Sequence, residues 1–560
     1  MKGLSIDPQL MEIVARLDSG QLWPVISPGW SPAVVNGSAL CRGSIKKDAD
    51  LWSVKGTADM GSVTVDHELF LMDPSGKDNR VTFEFDLIPE KQIRFKQILW
   101  ELEKSSLNLS GDFPLAPESA IALHCSVPAL SLEDLGIQLK PGGVVARGAL
   151  NGTLQARILK NDLSTAKVFG EMKGERLSFA LTSLPWPIRD CDFRALFSGE
   201  TIVIPLFTLI TGDSFLKGKG ELRGWNGLKG DVIVTSSPFD LSDFIRPGKE
   251  SQEKKKRSSF AENTHLRISL DAQPARWKKL DSERLRADLL FGKGALHITH
   301  SDVQIDRGSL ELMGYVKEDS MAFSCHVDFK DQPVEVLLRR LGIEEFHEGS
   351  LTMEAQLYTE GKLFKDLISH LDGGANVLIN KGVIRKSNIF LQILDFLSLQ
   401  NIFTKRPPDI SKEGLYFESL GGHGNIEQGV LRTENLQMKS PVLNAVGAGK
   451  VDLPQGLVDF DLGVQPLGTI DTVVSNIPIL GHILTGDNKS LVTYYFEVKG
   501  PILNPQVEHV PFKNLGNGVT GVLKRLFLSP VKLFEDVSEG VKKLPAIEIG
   551  DLPASQHSGF

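Results

Sequence analysis

No stretch of this sequence reaches the ~18 consecutive apolar residues that a membrane-crossing helix needs, so no such span is encoded in it. The opening MKGLSIDPQLMEIVARLDSG carries an early lysine but no apolar centre, which excludes a secretory signal peptide in that stretch. Cysteine is scarce. The four present (Cys41, Cys125, Cys191 and Cys325) are far apart, so no CxxC zinc or redox spacing exists, and buried free thiols are the expectation. There is no excess of basic charge either: the net charge is −8, which removes the global field that a nucleic-acid binder uses.

Catalytic signatures are also missing. No HExxH, GxSxG or Walker sequence occurs. The 12 histidines are scattered. His297 and His300 lie three apart in a strand pattern and so point to opposite faces, which prevents a shared metal. Asp459 and Asp461 share one strand face but read as solvated carboxylates, and His423 in GGHGN reads as a turn residue. Seven tryptophans, among them Trp23, Trp30, Trp52, Trp100 and Trp186, do not cluster as a carbohydrate platform would require. The sequence therefore predicts neither an enzyme nor a metal or cofactor site.

What is present is strand periodicity. LVDFDLGV alternates, with Val458, Phe460, Leu462 and Val464 on one side. SLVTYYFEVKG does the same, with Val492, Tyr494, Phe496 and Val498 on one side and Thr493, Tyr495, Glu497 and Lys499 on the other. A period of two predicts antiparallel sheet with one apolar and one wet face. Similar runs occur at 81–88, 144–159, 296–316 and 349–359. Asn151-Gly152, Arg307-Gly308 and Asn425 to Gly429 read as hairpin turns.

A weak repeat is visible in SVPALSLEDLGI (126–137), SSPFDLSDFI (236–245) and DQPVEVLLRRLGI (331–343). In each a strand ends, a proline follows, and a short Leu-rich turn of helix carries acidic residues. Pro128, Pro238 and Pro333 lie roughly a hundred residues apart, which suggests stacked modules. The chain is therefore divided into β modules with a short N-terminal helix at 1–245, a flexible charged insertion at 246–263, a further β module at 264–348, a C-terminal domain at 349–512, and an amphipathic helix with a tail at 513–560. The N-terminal helix is expected from Asp7-Pro8 followed by the stripe Leu10, Ile13, Val14 and Leu17.

Three segments break the strand pattern. RKSNIFLQILDFLSLQNIF (385–403) is apolar almost all round and predicts a buried helix or one in a lipid-like environment. TVVSNIPILGHILTG (472–486) is a second apolar segment. VTGVLKRLFLSPVKLFEDVSEGVKKL (519–544) places Leu526, Phe527 and Phe534 among Lys524, Arg525 and Lys532. Such a helix fits a membrane interface, and it equally fits docking on the end of a sheet.

From about 349 to 510 the chain resembles the C-terminal domain of AsmA-like proteins of the Gram-negative envelope. The resemblance rests on LDGGANVLINKGVIRKSNIFLQILDFLSL, then GLYFESLGGHGNIEQGVLRTENLQMKSPVLNAVGAGKVDL, then VDFDLGVQPLGTIDTVVSNIPILGHILTGDNKSLVTYYFEVKGPILNPQV, in that order. It implies a mainly β fold: an elongated, curved antiparallel sheet of repeating β-groove modules with a few short amphipathic helices. It further implies a periplasmic, membrane-associated protein with phospholipids, the inner and outer membranes and envelope proteins as partners. An inner-membrane anchor usual in the family is not in this chain. On this reading Val458, Phe460, Leu462, Val464, Val492, Tyr494, Phe496 and Val498 line a lipid groove, and Lys524, Arg525, Leu526, Phe527, Lys532 and Phe534 contact a membrane. The alternative is an envelope scaffold or assembly factor that carries no lipid.

Overall fold

The structure is a computed structural model that describes residues 10–18, 34–66, 70–74, 78–116, 119–139, 146–159, 162–180, 184–244, 263–278, 280–293, 295–317, 320–340, 346–363, 366–385, 388–399, 414–467, 482–484, 491–511 and 517–528. The charged insertion 246–263, except Asn263, lies outside the described residues, as do Lys532, Phe534 and most of 472–486. Among the described residues strands dominate, and the helices are few and short. They are α1 (Leu132–Leu135), α2 (Val334–Arg340), α3 (Asp366–Ser369), α4 (Asn388–Leu399) and α5 (Asn517–Leu528), with a 3₁₀ turn at Leu241–Asp243. The chain forms two compact units, one of residues 1–278 and 288–294, the other of 279–287 and 295–560.

In the first unit, successive long strands pair antiparallel from Ser38–Asp48 to Lys229–Ser236. Alternating residues explain the ladder. Charged side chains on the wet face pair across strands, as Lys55 does with Glu84 at 3.1 Å and Arg94 with Asp112 at 2.8 Å. The antiparallel pattern gives way at the end of this run: Lys229–Ser236 runs parallel to His265–Ala272. A parallel neighbour needs a crossover rather than a tight turn, and the segment between these strands, 237–264, carries the 3₁₀ turn and the charged insertion.

Three expectations are corrected here. Leu10–Asp18 is a strand, paired antiparallel with Ser38–Asp48, and not a helix. The stripe Leu10, Ile13, Val14 and Leu17 satisfies helical spacing, but pairing with an existing strand edge outweighs so short a helical preference. Asn151-Gly152 lies inside the strand Arg147–Leu159 rather than at a turn. His423 lies inside the strand Leu415–Glu427, opposite Asn376. The other two turns form hairpins, at Asp306-Arg307 between Ile305 and Gly308, and at Gln428-Gly429 between Glu427 and Val430. Gln428 and Gly429 both have positive φ (49° and 74°), the backbone of a type I′ hairpin.

The proline-centred repeat has a structural counterpart. At the first copy α1 presents Asp134, whose Oδ2 accepts from the Ser105 hydroxyl at 2.5 Å and from the Lys104 N–H at 3.4 Å. At the second copy, Asp243 Oδ2 accepts from the Ser214 hydroxyl at 2.7 Å and from the Asp213 and Ser214 N–H groups at 3.0 Å each. Both serine–aspartate pairs are 29 residues apart. The carboxylate from each short helical turn thus ties down the hairpin turn that precedes it. At the third copy α2 follows Pro333 and buries Val334 and Leu337 instead.

Candidate functional site

The pairing register assembles one apolar face across the first unit. A single row of directly opposed residues runs Gly56, Phe83, Ile98, Leu109, Cys125, Leu154, Gly170, Phe197 and Ile202, one from each of nine successive strands. A neighbouring row runs Ile45, Val54, Phe85, Phe95, Gly111 and Leu123. The apolar residues of both rows are half-buried. The opposite face carries Arg42, Lys55, Glu84, Arg94 and Glu171.

Among the described residues, one margin of this face is capped by a buried cluster. There Leu132 and Leu135 of α1, with Met72 and Ile137, pack against Trp100, Leu107, Val127 and Leu150. Among the described residues, no cluster of buried apolar side chains forms over Phe83, Ile98, Leu109, Leu154 or Phe197. These residues keep apolar surface that neither the fold's own helices nor the wet face removes from solvent.

The second unit repeats the arrangement and shows where it ends. The eight groove residues predicted from sequence do share one face: Val464 stands opposite Tyr494, Leu462 opposite Phe496 and Phe460 opposite Val498. Their exposure differs, however. Val464 (0 % exposed), Phe496 (2 %), Val498 (2 %) and Tyr494 (6 %) are fully buried, whereas Val458, Phe460, Leu462 and Val492 are half-buried. The cause is α4. Ile393, Leu394 and Leu397 are buried in the same cluster as Val464, Tyr494 and Phe496, and the Phe396 ring lies 5.5 Å from that of Phe496. The helix is fixed at its side by Gln392, which donates to the Pro505 carbonyl at 3.4 Å and accepts from the Val507 N–H at 3.3 Å. As lipid-lining residues, Val464, Tyr494, Phe496 and Val498 are therefore corrected to closed core. The apolar helix and the apolar strands, read separately in the sequence, satisfy one another.

The C-terminal helix also has a packing partner. α5 lies on the other face of the same strands, where Leu523 (0 %) and Leu526 (6 %) are buried against Val446 and Tyr495, with Phe527 half-buried beside them. Leu526 is thus corrected from membrane contact to docking contact. Gly463 is what allows the approach: a Cβ there would sit 3.0 Å from the Phe527 ring. Arg525 is exposed, and Lys524 belongs to the same helix. At this end the nominally wet face is covered too, which buries Tyr495 and leaves Thr493 bonded to Gln465 at 3.0 Å. Asp459 and Asp461 lie farther along that face. Asp461 is held above the usual carboxylate range by burial and by the neighbouring Glu497 and Asp459.

A further regularity depends on register and was not legible in sequence. Phenylalanines on the apolar face stand directly opposite glycines: Phe83 opposite Gly56, Phe193 opposite Gly174, Phe207 opposite Gly218, Phe323 opposite Gly314 and Phe460 opposite Gly449. In each case a Cβ on the glycine would collide with the ring, at 2.8 Å for Gly56 and 2.7 Å for Gly449. The rings of Phe83, Phe193 and Phe207 reach across the neighbouring strand with their outer atoms over the glycine, and those of Phe323 and Phe460 crowd it with their near side, filling the gap the glycine leaves.

All four cysteines are free and half-buried. Burial raises each thiol pKa, that of Cys325 to about 11. No helix among the described residues is long and apolar enough to cross a membrane.

No curated protein matches the chain. A family model described as YhdP protein matches residues 68–507, a span that takes in most of the apolar face in both units. The chain belongs to the YhdP protein family.

Proposed function

We propose that the chain is a non-enzymatic lipid-binding and lipid-transport protein of the bacterial envelope, carrying phospholipid between inner and outer membranes along the apolar face. The observation that carries this reading is the set of half-buried residues Phe83, Ile98, Leu109, Leu154 and Phe197, opposed in one row, over which no buried cluster forms among the described residues. Apolar surface left in water is unfavourable by about 25 cal/mol per Å², and an acyl chain covers it without demanding a hydrogen bond. Each buried CH₂ contributes about 0.8 kcal/mol, so a sixteen-carbon chain crossing water alone faces a barrier on the order of 12 kcal/mol. A strip of apolar side chains lowers that barrier with no reaction. Family membership supports the envelope setting, and the AsmA-like resemblance at 349–510, almost wholly inside the matched span, supports the finer assignment.

A scaffold role without lipid is favoured by one observation, the closed C-terminal core in which Phe496 is 2 % exposed beneath α4. Native mass spectrometry of the purified chain, followed by lipid extraction, separates the two. Several phospholipids per chain support transport. A lipid-free mass in mild buffer, together with no uptake from phosphatidylglycerol vesicles, sinks it in favour of the scaffold.

A further inference from the structure

We infer that the glycine-opposed phenylalanines form the floor on which acyl chains rest, and that each glycine is a positioning residue that keeps its ring flat. This rests on the lipid-transport reading and adds to it the residues that set the clearance.

The argument begins with the geometry of an apolar sheet face. A phenylalanine standing perpendicular to the sheet, as strand side chains ordinarily do, blocks a chain sliding past it. A ring laid across its neighbour removes the same apolar area from water and projects less. It can lie down only if the position opposite has no side chain. Glycine is otherwise a poor strand residue, weakening the strand through backbone entropy and lost packing. Yet it recurs opposite phenylalanine in both units, at Gly56 and Gly218 in the first and at Gly314 and Gly449 in the second. The rings of Phe83, Phe207, Phe323 and Phe460 are all half-buried, so these pairs face the uncovered part of the apolar surface.

A closed counterpart marks the difference between floor and core. Gly382 stands opposite Phe417 in the same way, but Phe417 is 0 % exposed, beneath the cluster that includes α4. Packing therefore uses the device too. What distinguishes the floor pairs is that their rings remain reachable.

Gly174 offers the cleanest substitution, at the margin of the floor, where Phe193 is half-buried and packs beside the cluster that holds Leu177. The nearest atoms to a Cβ there belong to the side chains of Phe193 and Leu177, whereas at Gly56, Gly218 and Gly449 backbone oxygens also intrude. An added methyl at Gly174 lifts the Phe193 ring with the least disturbance of the ladder.

The test uses the full chain and two readouts. The wild-type chain is loaded with phosphatidylglycerol bearing a diazirine near the acyl terminus, irradiated, and its adducts are mapped by mass spectrometry. Adducts concentrated at Phe83, Phe207, Phe323 and Phe460 are expected; adducts confined to other surfaces overturn the inference. Transfer of pyrene-labelled phosphatidylglycerol between vesicles is then compared for wild type, Gly174→Ala and Gly174→Ala with Phe193→Ala. The single variant is expected to keep its bound lipid but to transfer about tenfold more slowly, which corresponds to ~1.4 kcal/mol on the barrier. The double variant is expected to recover. A folded, lipid-loaded single variant with wild-type transfer removes the positioning role alone. A wild-type chain that takes up no lipid removes this inference together with the reading beneath it.

Discussion

At the residue scale, Phe496 and Phe460 have the same sequence pattern and different situations. Both alternate onto apolar strand faces, and the sequence pattern assigns both to one lipid groove. The structure separates them. Phe496 is buried at 2 % exposure with Phe396 edge-on at 5.5 Å, so Phe496→Asp places a carboxylate in a closed cluster. Loss of a buried phenylalanine alone costs about 3–5 kcal/mol, and desolvating the charge adds to it. The C-terminal strands are expected to open, seen as protease cleavage within 388–511. Phe460→Asp leaves a half-exposed charge and is expected to fold while binding less lipid. Equal protease resistance of the two variants contradicts this assignment.

His509 supplies a pH test of the same core. Its ring stacks on Phe396 at 4.4 Å and 16°, and burial lowers its pKa from the ordinary 6.5. The unfolded chain then binds the proton more readily than the folded one. Stability from this residue is present above pH 6.5 and is lost as pH falls from there through the depressed folded value. Amide exchange in α4, compared at pH 7.5 and 5.5 after correction for intrinsic rate, is expected to show less protection at the lower pH. His509→Phe, which keeps the stacking and removes the proton, is expected to flatten that difference. An unchanged pH response in the variant rules His509 out as its source.

At the scale of elements, the fixed spacing between turn and helical segment is the unit of construction. Asp243 is buried at 5 % and accepts three hydrogen bonds from the turn at Asp213-Ser214. Asp243→Ala leaves buried donors without an acceptor, at a cost of about 3 kcal/mol. Exchange at the Ser214 amide is expected to quicken by about two orders of magnitude. Asp134→Ala breaks one hydroxyl bond and one longer amide bond and is expected to have the smaller effect. Equal responses at the two sites argue against the turn as the element being held.

Legibility follows the range of the interaction. Alternation at 457–464 and 491–499 was plain because a strand's period is local. The proline-centred repeat showed faintly for the same reason. Leu10–Asp18 reads as a helix in isolation because its partner lies beyond 37, and a stripe of four apolar residues satisfies either period loosely. The cover of α4 over Phe496 and the fit of Phe460 against Gly449 depend on pairing register. No window of sequence contains that information.

At the scale of the molecule, the four cysteines sample the apolar face in both units. Cys41 stands opposite Ala58, Cys125 opposite Leu109 and Leu154, Cys191 opposite Leu177 and Cys325 opposite Leu312 and Leu357. They are native reporters of what lies on that face. Burial raises each thiol pKa, so few are thiolates at neutral pH and reaction with maleimide is slow. An acyl chain over the face excludes both water and reagent. Protein carrying its co-purified lipid is therefore expected to label more slowly with N-ethylmaleimide than protein stripped by mild detergent and returned to buffer. The contrast is expected to be largest at Cys41, which belongs to none of the buried clusters, and smallest at Cys325, which already packs against the closed core. Because the thiolate reacts, rates rise with pH in both preparations, and the lipid effect is read as the ratio at fixed pH. Identical site-by-site rates before and after stripping place the bound lipid elsewhere; protection at cysteines in both units places lipid along the face that the strand register defines.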